Sequence, residues 1–205
     1  MIKIILAFDN QDKTLGHFFN LCATDIKKYL SSETHNLILE ISDNLLNEVY
    51  LDIKMAGLIN ERFIFTAYSH GQQNKLISLE PYLHTKSNLK PYKYSLFYTF
   101  SCLSGIDLGK KLIEEGCFAF LGYTVEACIV TFNEDIFMIC TNHGLKEFMS
   151  GVNVSDSLKS MKLKHTEMID KTYSKYPLVA STLRKNRDGL ILHGNPDLKI
   201  VDLFQ

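Results

Sequence analysis

Two short sequences carry the reactive groups. Tyr68-Ser69-His70-Gly71 and Ser101-Cys102-Leu103-Ser104-Gly105 each follow an apolar run, and His70 and Cys102 stand 32 residues apart. A cysteine and a histidine together make a nucleophile and its proton carrier. The thiol attacks a carbonyl only as thiolate, which a neighbouring imidazole or a helix N-terminus favours. The helix expected from Ile106 would bring its dipole near Cys102. His70 would deliver a proton to a departing amine. Gly71 lets backbone approach closely, and its N–H is a candidate oxyanion donor. Two carboxylates, Asp9 and Asp12, stand just past the first apolar run. A single cysteine at a strand end serves packing more often than catalysis, so the chemistry rests on joint placement.

That placement depends on the elements. Apolar runs at Ile2–Phe8, Asn36–Ile41, Arg62–Tyr68, Tyr94–Ser101, Cys117–Leu121 and Gly189–His193 read as strands. Helical periodicity covers Leu15–Ser31, Leu45–Leu58, Ile106–Glu115, Asn133–Ser150 and Val154–Lys175, with a short helix at Pro177–Arg187. Asp43 is the expected N-cap of the second helix. The polar stretch Gln72–Lys93, with Pro81 and Pro91, reads as a long loop of the kind that often carries function. Strands that are apolar throughout, alternating with helices, imply a mainly parallel sheet covered on both faces. Functional groups gather at the carboxyl ends of such strands. Neighbouring strands lie about 4.8 Å apart, so a histidine and a cysteine past adjacent ends can meet one substrate atom.

Composition narrows the classes. At 205 residues, 46% apolar and 22% charged, the chain has the make-up of one folded domain, residues 1–205. No run reaches the roughly 20 apolar residues of a membrane helix, and the opening apolar segment is too short for a signal peptide. A net charge of −1 argues against nucleic acid as a partner. Five cysteines (22, 102, 117, 128 and 140) without CxxC spacing argue against a disulfide framework or a zinc site and for a cytoplasmic protein. Cys117, Cys128 and Cys140 are expected to be packing. His17, His35, His84, His143, His165 and His193 show no metal-ligand spacing and read as solvated or core histidines. Residues 154–187 hold eight Lys or Arg against three Asp or Glu, which reads as a solvated face or a dock for an acidic partner. Neither GxGxxG nor GxxxxGK[ST] occurs, so no cofactor is expected and an unrelated nucleotide- or flavin-binding protein is disfavoured.

The two reactive sequences, the segment Gly116–Tyr123 and the closing Leu192-His193-Gly194-Asn195-Pro196-Asp197-Leu198 resemble, in this order, the caspase-like cysteine peptidases of clan CD. The gingipain and CHAT branch is the most similar, although Asn195 stands where that branch has aspartate. A spacing of 32 is nearer the gingipain pattern than the about 50 of caspases, whose QACxG signature is absent. The resemblance implies a three-layer α/β sandwich with a six-stranded sheet, Cys102 as nucleophile, His70 as its partner, and an oxyanion hole from the N–H groups of Gly71 and Cys102. The family places one acidic residue after the first strand to orient the histidine and one at the floor of the pocket for a basic residue. Asp9 and Asp12 stand at similar positions and are expected in substrate binding, although Asp12 also reads as a helix-start residue. The implied activity is that of an endopeptidase cutting a protein or peptide after Arg or Lys. It would be an effector switched on by a separate partner or sensor, in antiviral defence or regulated cell death. The alternative is a catalytically silent interaction module on the same scaffold.

Overall fold

The computed structural model describes residues 2–31 and 36–204; His35 lies outside them. A six-stranded sheet in the order β2-β1-β3-β7-β8-β9 forms the middle layer. Its strands are β1 (Ile2–Phe8), β2 (Asn36–Ser42), β3 (Phe63–Tyr68), β7 (Leu96–Phe100), β8 (Ala119–Tyr123) and β9 (Leu190–Gly194). All pairings are parallel except that of β9, which runs antiparallel to β8 at one edge.

Side chains of a strand point alternately to its two faces, and both faces are buried. Ile4, Leu6 and Phe8 of β1 enter one core, and Ile5 and Ala7 enter the other. This is why the strands read as unbroken apolar runs. The first core is closed by α1 (Gly16–Ser31), α4 (Glu134–Met149), α5 (Val154–Thr172) and α6 (Pro177–Gly189). The second is closed by α2 (Glu48–Ala56) and α3 (Leu108–Glu114), with stacked rings of Phe65, Phe97 and Phe120 running across three adjacent strands. Tyr68 fixes the first layer to the sheet. Its hydroxyl donates to Asn142 Oδ1 at 2.7 Å, and Asn142 in turn donates to Asp25 of α1.

Three expectations are corrected. The stretch from residue 72 to 93 is not a plain loop: β4 (His70–Gln72), β5 (Lys75–Ile77) and β6 (Pro81–His84) form a three-stranded antiparallel sheet. Leu76, Tyr82 and Leu83 anchor it in the second core, and Pro81 is tolerated as the first residue of its strand. The N-cap of α2 is Asn47, whose side chain accepts from Tyr50 N at 2.9 Å. Asp43 adopts a left-handed φ of 55°, so it opens a 3-10 turn instead of presenting the extended backbone of a cap. Finally, α3 begins at Leu108, two residues later than expected, and has only 7 residues.

Candidate active site

The site begins with strand register. In the β3–β7 ladder Ile64 pairs with Leu96 and Tyr68 with Phe100, a constant offset of 32. His70 and Cys102 have the same spacing, so each stands two residues past the last pair of the ladder. The ends diverge there. His70 enters β4, and Leu103 turns the other chain away with a left-handed φ of 59°. Such a conformation strains a branched residue by about 1–3 kcal/mol. It is held by Leu103 N donating to Val125 O and Gly105 N to Tyr123 O.

Gly71 lies against the other strand end. A Cβ at residue 71 would sit 2.7 Å from the Cys102 carbonyl oxygen and 3.1 Å from its nitrogen. Only glycine fits this contact, and it brings the backbones of the two expected oxyanion donors together.

His70 has two neighbours that hold its ring. Its Nε2 is 3.1 Å from Asp12 Oδ2, and its ring stands perpendicular to that of Phe19 at 5.6 Å between centroids. Asp12 also starts α1. Its Oδ1 accepts from Thr14 N at 2.9 Å and from Leu15 N at 2.6 Å, and its carbonyl accepts from Gly16 N. Burial would raise the Asp12 carboxyl, but the hydrogen bonds from Thr14 and Leu15, with His70 beside it, bring it down to about 2. Asp12 is therefore an anion that both caps a helix and orients an imidazole. Asp9 is deeper, only 4% exposed. Burial raises its pKa, against the pull of hydrogen bonds from Ser78 and the Gln11 backbone.

Cys102 is half-buried, and its thiol donates to the Ala127 carbonyl at 3.4 Å. Burial raises its pKa, and Cys128 and Glu126 act in the same direction. The expected lowering of the Cys102 pKa is thus corrected: burial outweighs whatever the short α3 contributes, and the shift is upward. Among the described residues no hydrogen bond joins Cys102 Sγ to His70.

Beside Cys102 opens a cleft of about 670 Å³, lined in part by Gly71, Asn74, Leu103, Asp107, Glu126 and Cys128. Of the expected site residues, Gly71 and Cys102 line it, and His70, Asp9 and Asp12 do not. Its carboxylates are Asp107, at the start of α3, and Glu126, in the segment after β8. Neither was legible in the sequence, because nothing in their spacing relates them to Cys102. Cys128 corrects a further expectation. It is half-exposed on the cleft, with Lys185 Nζ 3.6 Å from its sulfur, whereas Cys117 and Cys140 are buried as packing. Among the described residues no group of three or more His, Cys, Asp or Glu side chains is arranged to hold a metal ion, and no helix is long and apolar enough to cross a membrane.

No family model matches the chain, and no curated protein matches it in sequence. Solved structures do. The crystal structure of the Arg-specific cysteine proteinase gingipain R (RgpB) is 12% identical, with a TM-score of 0.58 over 97% of this chain and 46% of that one. The complex of Porphyromonas gingivalis RgpB pro- and mature domains is 13% identical, with a TM-score of 0.58 over 97% and 48%. The chain spans about half the length of those proteinase chains. The likeness shows a shared α/β fold with a mainly parallel six-stranded sheet.

Proposed function

We propose that this chain is a cysteine endopeptidase that cuts a protein or peptide partner after Arg or Lys, with Cys102 as nucleophile and His70 as proton carrier. One observation carries the reading: the 32-residue spacing of His70 and Cys102 equals the β3–β7 register offset, so both follow adjacent strand ends at the same level. The fold shared with gingipain R supports it.

The chemistry follows from the neighbours of each group. Asp12 engages Nε2 of His70, which leaves Nδ1 to take the proton from the Cys102 thiol. The thiolate adds to the scissile carbonyl, and the oxyanion is received by the N–H groups of Gly71 and Cys102. Collapse breaks the C–N bond, and the leaving amine takes the proton held by His70. Water then hydrolyses the thioester, releasing the carboxylic acid and restoring the thiol. A basic side chain before the cut would face Asp107 and Glu126, the carboxylates on the cleft, in place of Asp9 and Asp12.

The resting thiol, hydrogen-bonded to Ala127 and raised in pKa by burial, favours a second reading: a catalytically silent interaction module on the same scaffold, or an enzyme that needs an activating partner. Incubation with Arg- and Lys-terminated fluorogenic peptides, and with an Arg chloromethyl ketone, separates them. The enzyme reading expects turnover that Cys102→Ala abolishes, and labelling of Cys102 that His70→Ala slows. Turnover surviving Cys102→Ala would end it. Labelling of Cys102 no faster than that of Cys128, and indifferent to His70→Ala, would establish the module.

A further inference from the structure

Behind His70 and Cys102 lie four hydroxyls that water does not reach. Ser69, Tyr82, Thr99 and Ser101 are each at most 2% exposed, and none lines the cleft. Ser69 Oγ is 2.7 Å from the Tyr82 hydroxyl and 3.4 Å from Ser101 Oγ. Ser101 Oγ is in turn 2.9 Å from Thr99 Oγ1, which donates to the Ala67 carbonyl at 2.9 Å. Ser69 also donates to the carbonyl of His70 at 3.1 Å. Ser69 directly precedes His70, Ser101 directly precedes Cys102, and Tyr82 belongs to the small sheet that β4 begins.

A buried hydroxyl costs about 1–3 kcal/mol unless it finds a partner, and apolar side chains would fill this space without that risk. The remaining buried positions of β3 and β7 are mostly apolar. The hydroxyls cluster where the backbone ladder gives out. The last pair is Tyr68 with Phe100, and the next bond, from Ser69 N to Phe100 O, is stretched to 3.4 Å. Past that point the backbone no longer sets the distance between the strand ends, whereas directional hydroxyl bonds can.

We propose that Ser69, Ser101 and Tyr82 are positioning residues that set the separation of His70 from Cys102, and thereby the rate of proton transfer between them. The proposal rests on the peptidase reading and adds to it a site of control that touches neither substrate nor reacting atoms. Misplacement of reacting groups by about 1 Å can cost 10²-fold in rate. Ser69→Ala and Ser101→Ala should therefore each lower kcat roughly 10- to 100-fold, with KM nearly unchanged. Because the two residues share one network, the double variant should lose little more than the worse single one. Additive losses, or a loss confined to KM, would overturn the proposal.

A second measurement does not depend on turnover. The rate of Cys102 alkylation is followed against pH in the full chain, where a coupled imidazole adds a step that His70→Ala removes. Ser69→Ala/Ser101→Ala should remove the same step while leaving thermal stability above the assay temperature; Tyr82→Phe, which keeps the ring in the core, replaces the double variant if that one fails to fold. A step abolished by His70→Ala but untouched by the hydroxyl variants would sink the network and leave the dyad standing. A profile indifferent to His70→Ala would remove the dyad, and the network with it.

Discussion

Two regions of the molecule hold similar side chains and differ in what they can do. Past the ends of β3 and β7 stand a histidine and a cysteine, with a carboxylate from the turn after β1 against the histidine. Between α4 and α5 stand Cys140, His143, Glu147 and Ser160, with His143 Nε2 2.9 Å from Ser160 Oγ and 3.8 Å from Glu147 Oε1. On residue types alone the second set is the better hydrolase triad. Its geometry is not one: serine and carboxylate converge on the same ring nitrogen, so the imidazole cannot take a proton on one side while being held on the other. Burial also lowers the His143 pKa. His70, by contrast, meets Asp12 through one nitrogen, and the next residue, Gly71, packs against Cys102 and lines the cleft. The contrast teaches that strand ends, where a ladder stops and side chains lose their neighbours, offer a substrate what a helix–helix seam cannot.

The contrast can be broken hardest at Gly71. Gly71→Ala drives a methyl group against the Cys102 carbonyl and disturbs both oxyanion donors, so turnover should fall about 10³-fold while peptide-independent folding survives. Near-normal kcat in that variant would show that the two strand ends do not cooperate.

The helix seam should instead report through stability. His165 in α5 is 1% exposed, its Nδ1 donates to Met161 O, and burial, with Arg187, His143 and Lys162 nearby, lowers its pKa to about 4. The folded value lies below the unfolded value of about 6.5, so the unfolded chain binds the extra proton on acidification. This part of the stability is intact above about pH 6.5 and is lost as pH falls toward 4, by about 3 kcal/mol in all. Denaturant unfolding of wild type and His165→Gln between pH 7 and 4 tests it; equal pH slopes in the two proteins would refute the assignment.

The smallest effects sharpen the contrast. Asp12→Asn should lower turnover about tenfold by loosening His70 while keeping the cap of α1, and Asp12→Ala should in addition cost about 1 kcal/mol of stability. Ser160→Ala and Glu147→Gln should change turnover less than twofold. A peptidase assay beside a thermal melt distinguishes them, and a loss at Ser160 as large as that at Asp12 would erase the distinction drawn between the regions.

Much of this was legible in the residues themselves. Doubly buried strands are apolar at nearly every position, so β1, β3, β7 and β8 announce themselves, and a reactive pair past two such runs is visible without coordinates. The small sheet β4–β6 was not, because strands of three or four residues with a proline show no period. Asp12 stands far from His70 in sequence, and only the folding of the β1–α1 turn against β3 brings its carboxylate to the ring. Cys128 lies in an apolar run that suggests burial, yet the turn after β8 leaves it on the cleft.

The amino-acid order by itself determined the sheet, its two cores and the strand ends that carry His70 and Cys102, since those follow from local periodicity and burial. Which carboxylate holds the imidazole, which ones face the cleft, and where the thiol points were decided only by tertiary structure. These are contacts between segments distant along the chain, and local composition carries no record of the distance across space.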